Sequence, residues 1–155
     1  MTVQDLPQRF ETDSVARALS LVGERWTLLI LREAFFGVRR YGQLSRNLGI
    51  PRPTLSARLR TLVDAGLLDR VPYAPDQHEY RLTDAGRELF PAVVTLMKWG
   101  DAHVAGASPI VLRHHACGEI ADARVVCAHC GGDITTGSVT PEPGPGFDVG
   151  TRSAD

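Results

Sequence analysis

Six arginines and no carboxylate occupy the segment from Ala34 to Val63, although the whole chain of 155 residues has a formal net charge of -1. A stretch of one charge sign in a balanced chain predicts an anionic partner, and DNA fits it best. Guanidinium groups can meet phosphate oxygens or the O6 and N7 atoms of guanine. The six residues are Arg39, Arg40, Arg46, Arg52, Arg58 and Arg60.

A second set of residues with chemical potential lies near the end of the chain. His114 and Cys117 form one pair, Cys127 and Cys130 form another nine residues later, and a glycine follows each pair. A two-residue gap lets a tight turn present both side chains, and tetrahedral zinc takes four thiolate or imidazole ligands. The spacing predicts a closed structural zinc site made of these four residues.

The sequence is compatible with several functions of these histidine and cysteine side chains. His115 or His129 could replace a member of either pair. A metal-free mini-sheet, reduced or linked by a disulfide, is one alternative, and a sensing or catalytic thiol is another. Three cysteines are an odd number, and the N-terminus lacks the basic start and apolar core of a secretory signal. We therefore expect a cytoplasmic protein, in which metal or thiol chemistry is more common than a structural disulfide.

The arginine-rich segment has the pattern of a helix, a tight turn and a second helix. Residues 41–48 and 52–65 are predicted as helices, and Gly49 suits the left-handed backbone of the turn. One face of the second helix is aliphatic and is predicted to be buried, and the opposite face carries short side chains and arginines that can approach a DNA groove. The aliphatic stripe is Leu55, Leu59, Leu62 and Val63.

Two short predicted strands follow, residues 67–73 and 78–82, around a turn signal at residues 74–77. A hairpin directly after a recognition-type helix is the wing of a winged helix-turn-helix, and its cationic side chains are placed to meet the DNA backbone. The complete predicted DNA-binding set is Arg39, Arg40, Arg52, Pro53, Thr54, Ser56, Ala57, Arg58, Arg60, Thr61, Arg70, His78 and Arg81.

The remaining elements are mainly helical. Asp13 is predicted to cap a first helix that ends near Val22, and residues 25–35 are apolar on almost every side, which indicates a central core helix. Thr83 and Asp84 are predicted to begin a long helix that ends near Gly106. Trp26 and Trp99 are predicted to lie in the core. The fold class is mainly α with a β-hairpin wing, plus a small β-rich, zinc-ribbon-like C-terminal appendage.

Composition predicts four parts. Residues 1–12 are a flexible N-terminus, 13–106 a DNA-binding and dimerisation domain, 108–136 a Cys/His mini-domain, and 137–155 a disordered tail. Seven of the fourteen residues from 137 to 150 are glycine or proline, which favours disorder. No apolar run approaches the roughly 20 residues of a transmembrane helix, so no membrane partner is expected.

The chain resembles the HxlR family of bacterial winged helix-turn-helix transcriptional regulators. Four separated motifs carry the resemblance, which covers more than half of the chain. They are Leu21-Val-Gly-Glu-Arg-Trp26-Thr-Leu-Leu-Ile-Leu-Arg32-Glu, Gly37-Val-Arg-Arg-Tyr-Gly-Gln-Leu44, Pro53-Thr-Leu-Ser56-Ala-Arg-Leu-Arg60-Thr-Leu-Val-Asp-Ala-Gly66-Leu, and Glu79-Tyr80-Arg-Leu82-Thr83-Asp-Ala-Gly86-Arg-Glu-Leu.

The resemblance implies a homodimer that binds palindromic operator DNA, with a small-molecule effector or an oxidant changing its affinity. We expect the dimer interface on the first helix (Val15, Leu19, Val22) and the last (Leu89, Val93, Leu96, Gly100). Family members commonly carry a cysteine where this chain has Ser14, and serine cannot form a thiolate or a disulfide. N-terminal thiol sensing is therefore not expected.

Two other functions compete with a DNA-binding regulator. One is a small redox or metal-responsive protein built on the Cys/His residues, and the other is a winged-helix module that binds proteins. No Ser/His/Asp arrangement, phosphate loop or paired acids support an enzyme, so we expect none.

Overall fold

The structure is a computed structural model that describes residues 13–145. The predicted flexible N-terminus, 1–12, and the last part of the predicted disordered tail, 146–155, lie outside the described residues. Eight elements follow one another in the described part. They are α1 (Ser14–Val22), α2 (Arg25–Phe35), α3 (Tyr41–Leu48), α4 (Arg52–Asp64), β1 (Leu68–Ala74), β2 (Gln77–Leu82), α5 (Asp84–Arg87) and α6 (Phe90–His103).

The first two helices begin at side-chain caps. Asp13 Oδ1 accepts hydrogen bonds from the backbone N–H groups of Val15 and Ala16 at 2.8 and 3.0 Å, which confirms the predicted cap of α1. Glu24 Oε2 caps α2 through the N–H groups of Trp26 and Thr27. Both caps satisfy amides that have no partner inside their helix.

The central position of α2 is confirmed. Ile30 and Leu31 are completely buried, and they pack in one core with residues of α3, α4 and β1. The predicted aliphatic stripe of α4 faces the same core. Leu55, Leu59 and Leu62 are buried, and Val63 is half-buried against them.

A buried carboxylate joins α2 to α3. Glu33 is only 6% exposed. Its Oε2 accepts a hydrogen bond from Asn47 Nδ2 at 2.8 Å, and its Oε1 accepts one from Arg32 Nη2 at 2.8 Å. Burial of a carboxylate is tolerated only when it is paired and hydrogen-bonded. A polar contact at the edge of the core, between buried Glu33 and exposed Asn47, therefore helps to hold α3 on α2.

The turn between α3 and α4 is confirmed at Gly49, whose backbone is left-handed with φ 60° and ψ 24°. The following hairpin is antiparallel, with Leu68 opposite Leu82 at its base. Residues 39–40 run beside β2, since the Tyr80 N–H donates to the Arg39 carbonyl oxygen at 2.8 Å and Arg40 bridges to Glu79. These contacts hold the hairpin against the start of α3, in the position of the wing in a winged helix.

The long helix predicted from Thr83 to about Gly106 is two helices. Residues 88–89 form a turn between α5 and α6, in which the backbone keeps right-handed φ and ψ values but the regular helical hydrogen bonding is interrupted. Pro91 explains the break because it has no N–H to donate to the Arg87 carbonyl oxygen and its ring would clash with that oxygen. The second of the two helices ends at His103.

The tryptophans differ from each other. Trp26 is half-buried and packs against the core, as predicted. Trp99 is 56% exposed, so its predicted core position is wrong for the single chain. Its indole stacks on the His103 imidazole with ring centroids 5.1 Å apart. On the same helix Val93 is buried, so one face of α6 is covered and the face that carries Trp99 is open.

The described residues divide into two compact units, residues 19–124 and residues 13–18 with 125–145. In the larger unit the segment after α6 returns along that helix. Ile110, Leu112 and Ile120 line a groove with Met97, and Lys98 Nζ donates to Asp122 Oδ1 and to the Ala123 carbonyl oxygen.

Beyond α6 the β content is smaller than predicted. Across residues 104–145 the structure has two isolated antiparallel bridges, Arg113 with Ile120 and Val126 with Asp133, and no strand. The predicted division at residues 107–108 stays a prediction. None of the helices in the described part of the chain is long and apolar enough to cross a membrane.

Glycine at position 86 is expected to be essential for packing of α5 against the hairpin. A Cβ there would lie 2.2 Å from the Leu67 carbonyl oxygen, whereas a Cβ at Gly42 would meet nothing within 4 Å. Gly86→Ala should lower the free energy of unfolding by about 1–3 kcal/mol, because backbone must move. Gly42→Ala, the control inside α3, should raise it by up to about 1 kcal/mol. Urea titrations measure both, and equal midpoints would contradict this packing.

Candidate nucleic-acid interface

The start of α4 is held against the start of α3 by one phenol. Tyr41 Oη donates to the Arg52 carbonyl oxygen at 2.9 Å and lies 3.1 Å from Ser56 Oγ. Tyr41 is the first residue of α3, and both of its partners lie in the first two turns of α4. This contact sets the angle between the two helices at the end that a recognition helix presents to DNA.

The outward face of α4 is as the sequence predicts. Arg52, Pro53, Ser56, Ala57 and Arg60 are exposed, and Thr54 and Thr61 are half-buried. Thr61 Oγ1 donates to the Ala57 carbonyl oxygen, so its hydroxyl is partly used within the helix. Short side chains alternate with arginines, a surface that can enter a major groove without steric obstruction.

Arginines of the described region fall into two groups. No ion pair or side-chain hydrogen bond within residues 13–145 involves the guanidinium groups of Arg39, Arg46, Arg52 and Arg60, all of which are exposed. Arg46 on α3 was not in the predicted contact set. Its place among the six arginines of the segment without acidic residues is the sequence signal that could have added it.

The other predicted cations have partners within the chain. Arg58 Nε is buried and lies 4.0 Å from Glu24 Oε2, so this residue connects α4 to the cap of α2. Arg81 donates to Glu79 Oε1. Arg81 is hydrogen-bonded to a carboxylate and Arg58 is half-buried, so these two are less available to phosphate than the exposed arginines.

The wing carries a second set of internal contacts. Arg70 Nη2 and His78 Nδ1 lie 3.2 Å apart across the two strands. The guanidinium of Arg40 lies over the Tyr73 ring, 4.5 Å from its centroid. Tyr73 was not predicted as part of the site, and only its place in an exposed strand next to the arginines could have indicated it. Both contacts hold cations at the surface without removing their charge.

An open cleft separates α4 from the hairpin. Ser56, Arg60 and Val63 of α4 line one side, and Arg70 and Tyr80 line the other. The structure therefore brings together α4 residues and a wing residue that the sequence assigned to one surface. The cleft places two guanidinium groups where an anionic backbone could pass between helix and hairpin.

The predicted metal ligands are arranged in two local turns. His114 Nδ1 lies 3.4 Å from Cys117 Sγ. The backbone N–H groups of His129 and then Cys130 donate toward the Cys127 thiol and lower its pKa from the ordinary value. Within residues 13–145 no three His, Cys, Asp or Glu side chains are gathered as one metal site. Zinc at these residues stays a prediction.

The family profile of HxlR-like helix-turn-helix proteins matches residues 21–107, which include α2 to α6. The chain belongs to this family. Its matched region contains every residue of the predicted DNA-binding set. The HxlR-like assignment made from the four sequence motifs is thereby confirmed.

Named relatives agree with the family. The "Uncharacterized HTH-type transcriptional regulator Rv3095" of Mycobacterium tuberculosis is 69% identical over 151 residues, which are 95% of this chain and 96% of that protein. The "Uncharacterized HTH-type transcriptional regulator sll1512" of Synechocystis is 38% identical over 64% of this chain and 78% of its own length. Both names describe helix-turn-helix regulators, and the HxlR-like chain is a helix-turn-helix transcriptional regulator.

Solved structures share the fold. The transcription-factor candidate PA1607 has a TM-score of 0.78 at 33% identity, and the match covers 86% of this chain and 96% of that chain. The redox regulator HypR, in its oxidised form, has a TM-score of 0.56 at 28% identity over 61% of this chain and 100% of its own. The likeness to PA1607 extends beyond the winged helix of this HxlR-like protein.

The Tyr41 hydroxyl is expected to contribute measurably to stability. Tyr41→Phe removes both contacts with α4 and should lower the free energy of unfolding by about 0.5–1.5 kcal/mol. Tyr73→Phe is the matched control, because its ring stays under Arg40 and no hydrogen bond of its hydroxyl is found within residues 13–145. Chemical denaturation of both variants is the measurement. Equal stability of Tyr41→Phe and wild type would refute the proposed pinning of the two helices.

Proposed function

We propose that this HxlR-like regulator binds palindromic operator DNA as a homodimer, with α4 of each chain in a major groove and the hairpin against the neighbouring backbone. The observation that carries the proposal is the outward face of α4. There Arg52 and Arg60 are exposed and have no side-chain partner among the described residues. The other arginines near them, such as Arg58 and Arg81, are paired.

Electrostatics supports DNA over a neutral or cationic partner. The chain has a net charge of -1, so long-range attraction to DNA cannot come from its overall charge. It must come from a local field, which the exposed arginines of α3, α4 and the preceding loop produce. Such a field is short-ranged in salt, with a screening length of about 8 Å at physiological ionic strength. Binding by this surface therefore depends on close docking and is sensitive to salt.

Within α4 the two arginines have different expected roles. Arg52 lies at the first position of the helix, and no side chain caps the first turn of α4. Arg52 and the uncapped amides suit a phosphate, because a helix N-terminus favours anions. Arg60 lies two turns later beside the cleft and suits a base edge or the opposite backbone.

The homodimer is supported by exposed apolar side chains. Val22 and Val93, two of the predicted interface residues, are buried within the chain and cannot form an interface. Leu19 of α1 and Leu96 and Trp99 of α6 are about half exposed. Exposed large side chains on these two helices are the kind of surface that a partner subunit covers. We place the interface on them.

Regulation by an effector belongs to the same proposal. HypR is named a redox regulator, and that likeness favours an oxidant among possible effectors. This chain has Ser14 at the position of the usual first-helix cysteine, so an oxidant would have to act on Cys117, Cys127 or Cys130. A small molecule that changes the affinity for the operator is the other candidate.

Loss of either exposed arginine should weaken operator binding. Arg60→Ala should cost about 1–3 kcal/mol if the side chain contacts a base, with relaxed preference at that base pair. Arg52→Ala should weaken binding to all sequences and reduce the salt slope by about 1, as expected for one lost phosphate contact. Fluorescence anisotropy over a salt series, on an operator selected from genomic fragments, is the measurement.

Arg87→Ala is the matched control for these variants. It removes the same charge from α5, where Arg87 pairs with Asp84 at 2.7 Å, and should leave affinity within about twofold. Wild-type affinity in both Arg52→Ala and Arg60→Ala, with folding intact, would contradict the assigned recognition face. A protein that shows no salt-dependent DNA binding at all would favour the protein-interaction module instead.

Dimerisation should depend on α6. Leu96→Asp should shift the protein toward monomer at micromolar concentration, because a carboxylate would be buried without a partner in the interface. Val139→Asp is the control, since Val139 and Leu96 are both 55% exposed but Val139 lies outside the helices. Sedimentation velocity measures the state. A monomeric wild type that still binds its operator tightly would refute the symmetric complex.

A further inference from the structure

Two adjoining cavities lie where the end of α2, strand β2 and the junction of α5 with α6 meet. The aromatic cavity, of about 320 Å³, is lined by Phe35, Leu82, Arg87 and Phe90. The arginine cavity, of about 230 Å³, shares Leu82 and Arg87 with it. All of their lining residues belong to the compact unit of residues 19–124. Together the two cavities reach the size of small-molecule sites, which is about 300–1,000 Å³.

Two phenylalanine rings form the apolar wall. The ring centroids of Phe35 and Phe90 are 5.1 Å apart, and the ring planes meet at 62°, an edge-to-face arrangement. Phe90 is 37% exposed, so the chain itself leaves part of this wall uncovered. A further aromatic ring placed on such a pair gains edge-to-face or offset contacts in addition to the apolar area that it buries. The aromatic cavity therefore suits a ring.

Positive charge surrounds the other end. Arg39 and Arg81 line the arginine cavity together with the shared Arg87. Three guanidinium groups thus line the two cavities, and no Asp or Glu is among the described residues that do so. The planar fork of a guanidinium matches the two oxygens of a carboxylate. This end of the site favours a small anion.

The three arginines keep donors for a ligand. Arg39 is exposed and has no side-chain partner among residues 13–145. Arg87 donates from Nη1 to Asp84 Oδ1, and Arg81 donates to Glu79 Oε1. A guanidinium carries five N–H donors, so these pairs leave both groups with unused donors. Two carboxylates thus compensate two of the three charges, and the charge of Arg39 is left without one.

We propose that the two cavities bind a small aromatic carboxylate, with its ring against Phe35 and Phe90 and its carboxylate toward Arg87 and Arg39. A neutral aromatic compound would leave the charge of Arg39 uncompensated. An inorganic anion would leave the phenylalanine wall open to water. One ring with one carboxylate satisfies both ends of the site.

The site adjoins the surface that we assign to DNA. Arg39 belongs to the predicted DNA-binding set, and Tyr80 lines both the arginine cavity and the cleft between α4 and the hairpin. A carboxylate bound to Arg39 removes one cation from that surface. The ligand is therefore an effector that lowers the affinity for the operator, a consequence that rests on the proposed function. Binding of the ligand itself does not depend on DNA.

Calorimetric titration of the full chain without DNA tests the site, with benzoate and 2-naphthoate as the probes. At least one of them should bind one per chain with half-saturation below about 1 mM. The amide of the better probe has the same ring and no charge, and it should bind at least about tenfold more weakly. Cyclohexanecarboxylate has the charge and no aromatic ring, and it should bind about threefold more weakly than benzoate.

Matched variants locate the ligand. Arg87→Ala should weaken binding of the better probe by about tenfold, and Arg87→Lys, which keeps the charge and loses the fork, should weaken it less. Phe90→Leu keeps an apolar side chain and should weaken it by about threefold. Arg25→Ala is the control, because Arg25 is exposed at the opposite end of α2. Circular dichroism and melting temperature check that each variant is folded.

Operator binding tests the effector role separately. The better probe at saturating concentration should weaken operator binding several-fold relative to acetate at the same ionic strength, and Arg87→Ala should lose this response. Calorimetric binding in a protein that does not bind DNA would support the site and contradict the proposed function.

Three results would overturn the inference. The first is no saturable binding of either probe up to about 10 mM. The second is equal binding of the better probe and its amide, or undiminished binding in folded Arg87→Ala. The third is an operator affinity that does not change when the probe saturates the protein, which would refute the effector role.

Discussion

The arrangement of α2, α3 and α4 depends on one buried carboxylate. Glu33 lies in the central helix among mainly aliphatic positions, and its carboxylate accepts hydrogen bonds from Arg32 of the same helix and from Asn47 of α3 at the edge of the core. Aliphatic packing alone tolerates small rotations of one helix against another, because it has no direction. A hydrogen bond is directional, so the Glu33–Asn47 contact restricts such rotations of α3. Tyr41 then links the start of α3 to α4.

Arginine serves two purposes in this fold. Arg32 and Arg58 have buried Nε atoms and contribute to the junctions around α2, whereas Arg52 and Arg60 extend into solvent. The difference lies in the acidic residues, since Glu33 and Glu24 are placed next to the first two and no acid occurs between positions 34 and 63. The charge asymmetry of the sequence thus becomes a physical separation between structural and outward-facing cations.

Local signals in the sequence were sufficient for most of the fold and for the outline of the site. Caps, glycines and the periodicity of Leu55, Leu59 and Leu62 act over a few residues, and the elements they indicate are present. Prediction was wrong where the outcome depends on tertiary context or on a competing local rule. Pro91 interrupts a continuous apolar period, and the exposure of Trp99 depends on which helix face the core covers. The pairing of Arg58 with Glu24 joins distant parts of the chain, so helical spacing could not reveal it.

The hydrogen bond from Tyr80 to Arg39 makes the wing continuous with the start of α3. The wing, the turn and α4 are thus joined by hydrogen bonds within a single chain, so their arrangement does not need a partner. In the homodimer that we propose, a signal would act on the distance between the two α4 helices, which must match one turn of the double helix. A tilt of the subunits by a few degrees would then change which spacing of half-sites is recognised, and leave the bases read within each half-site the same.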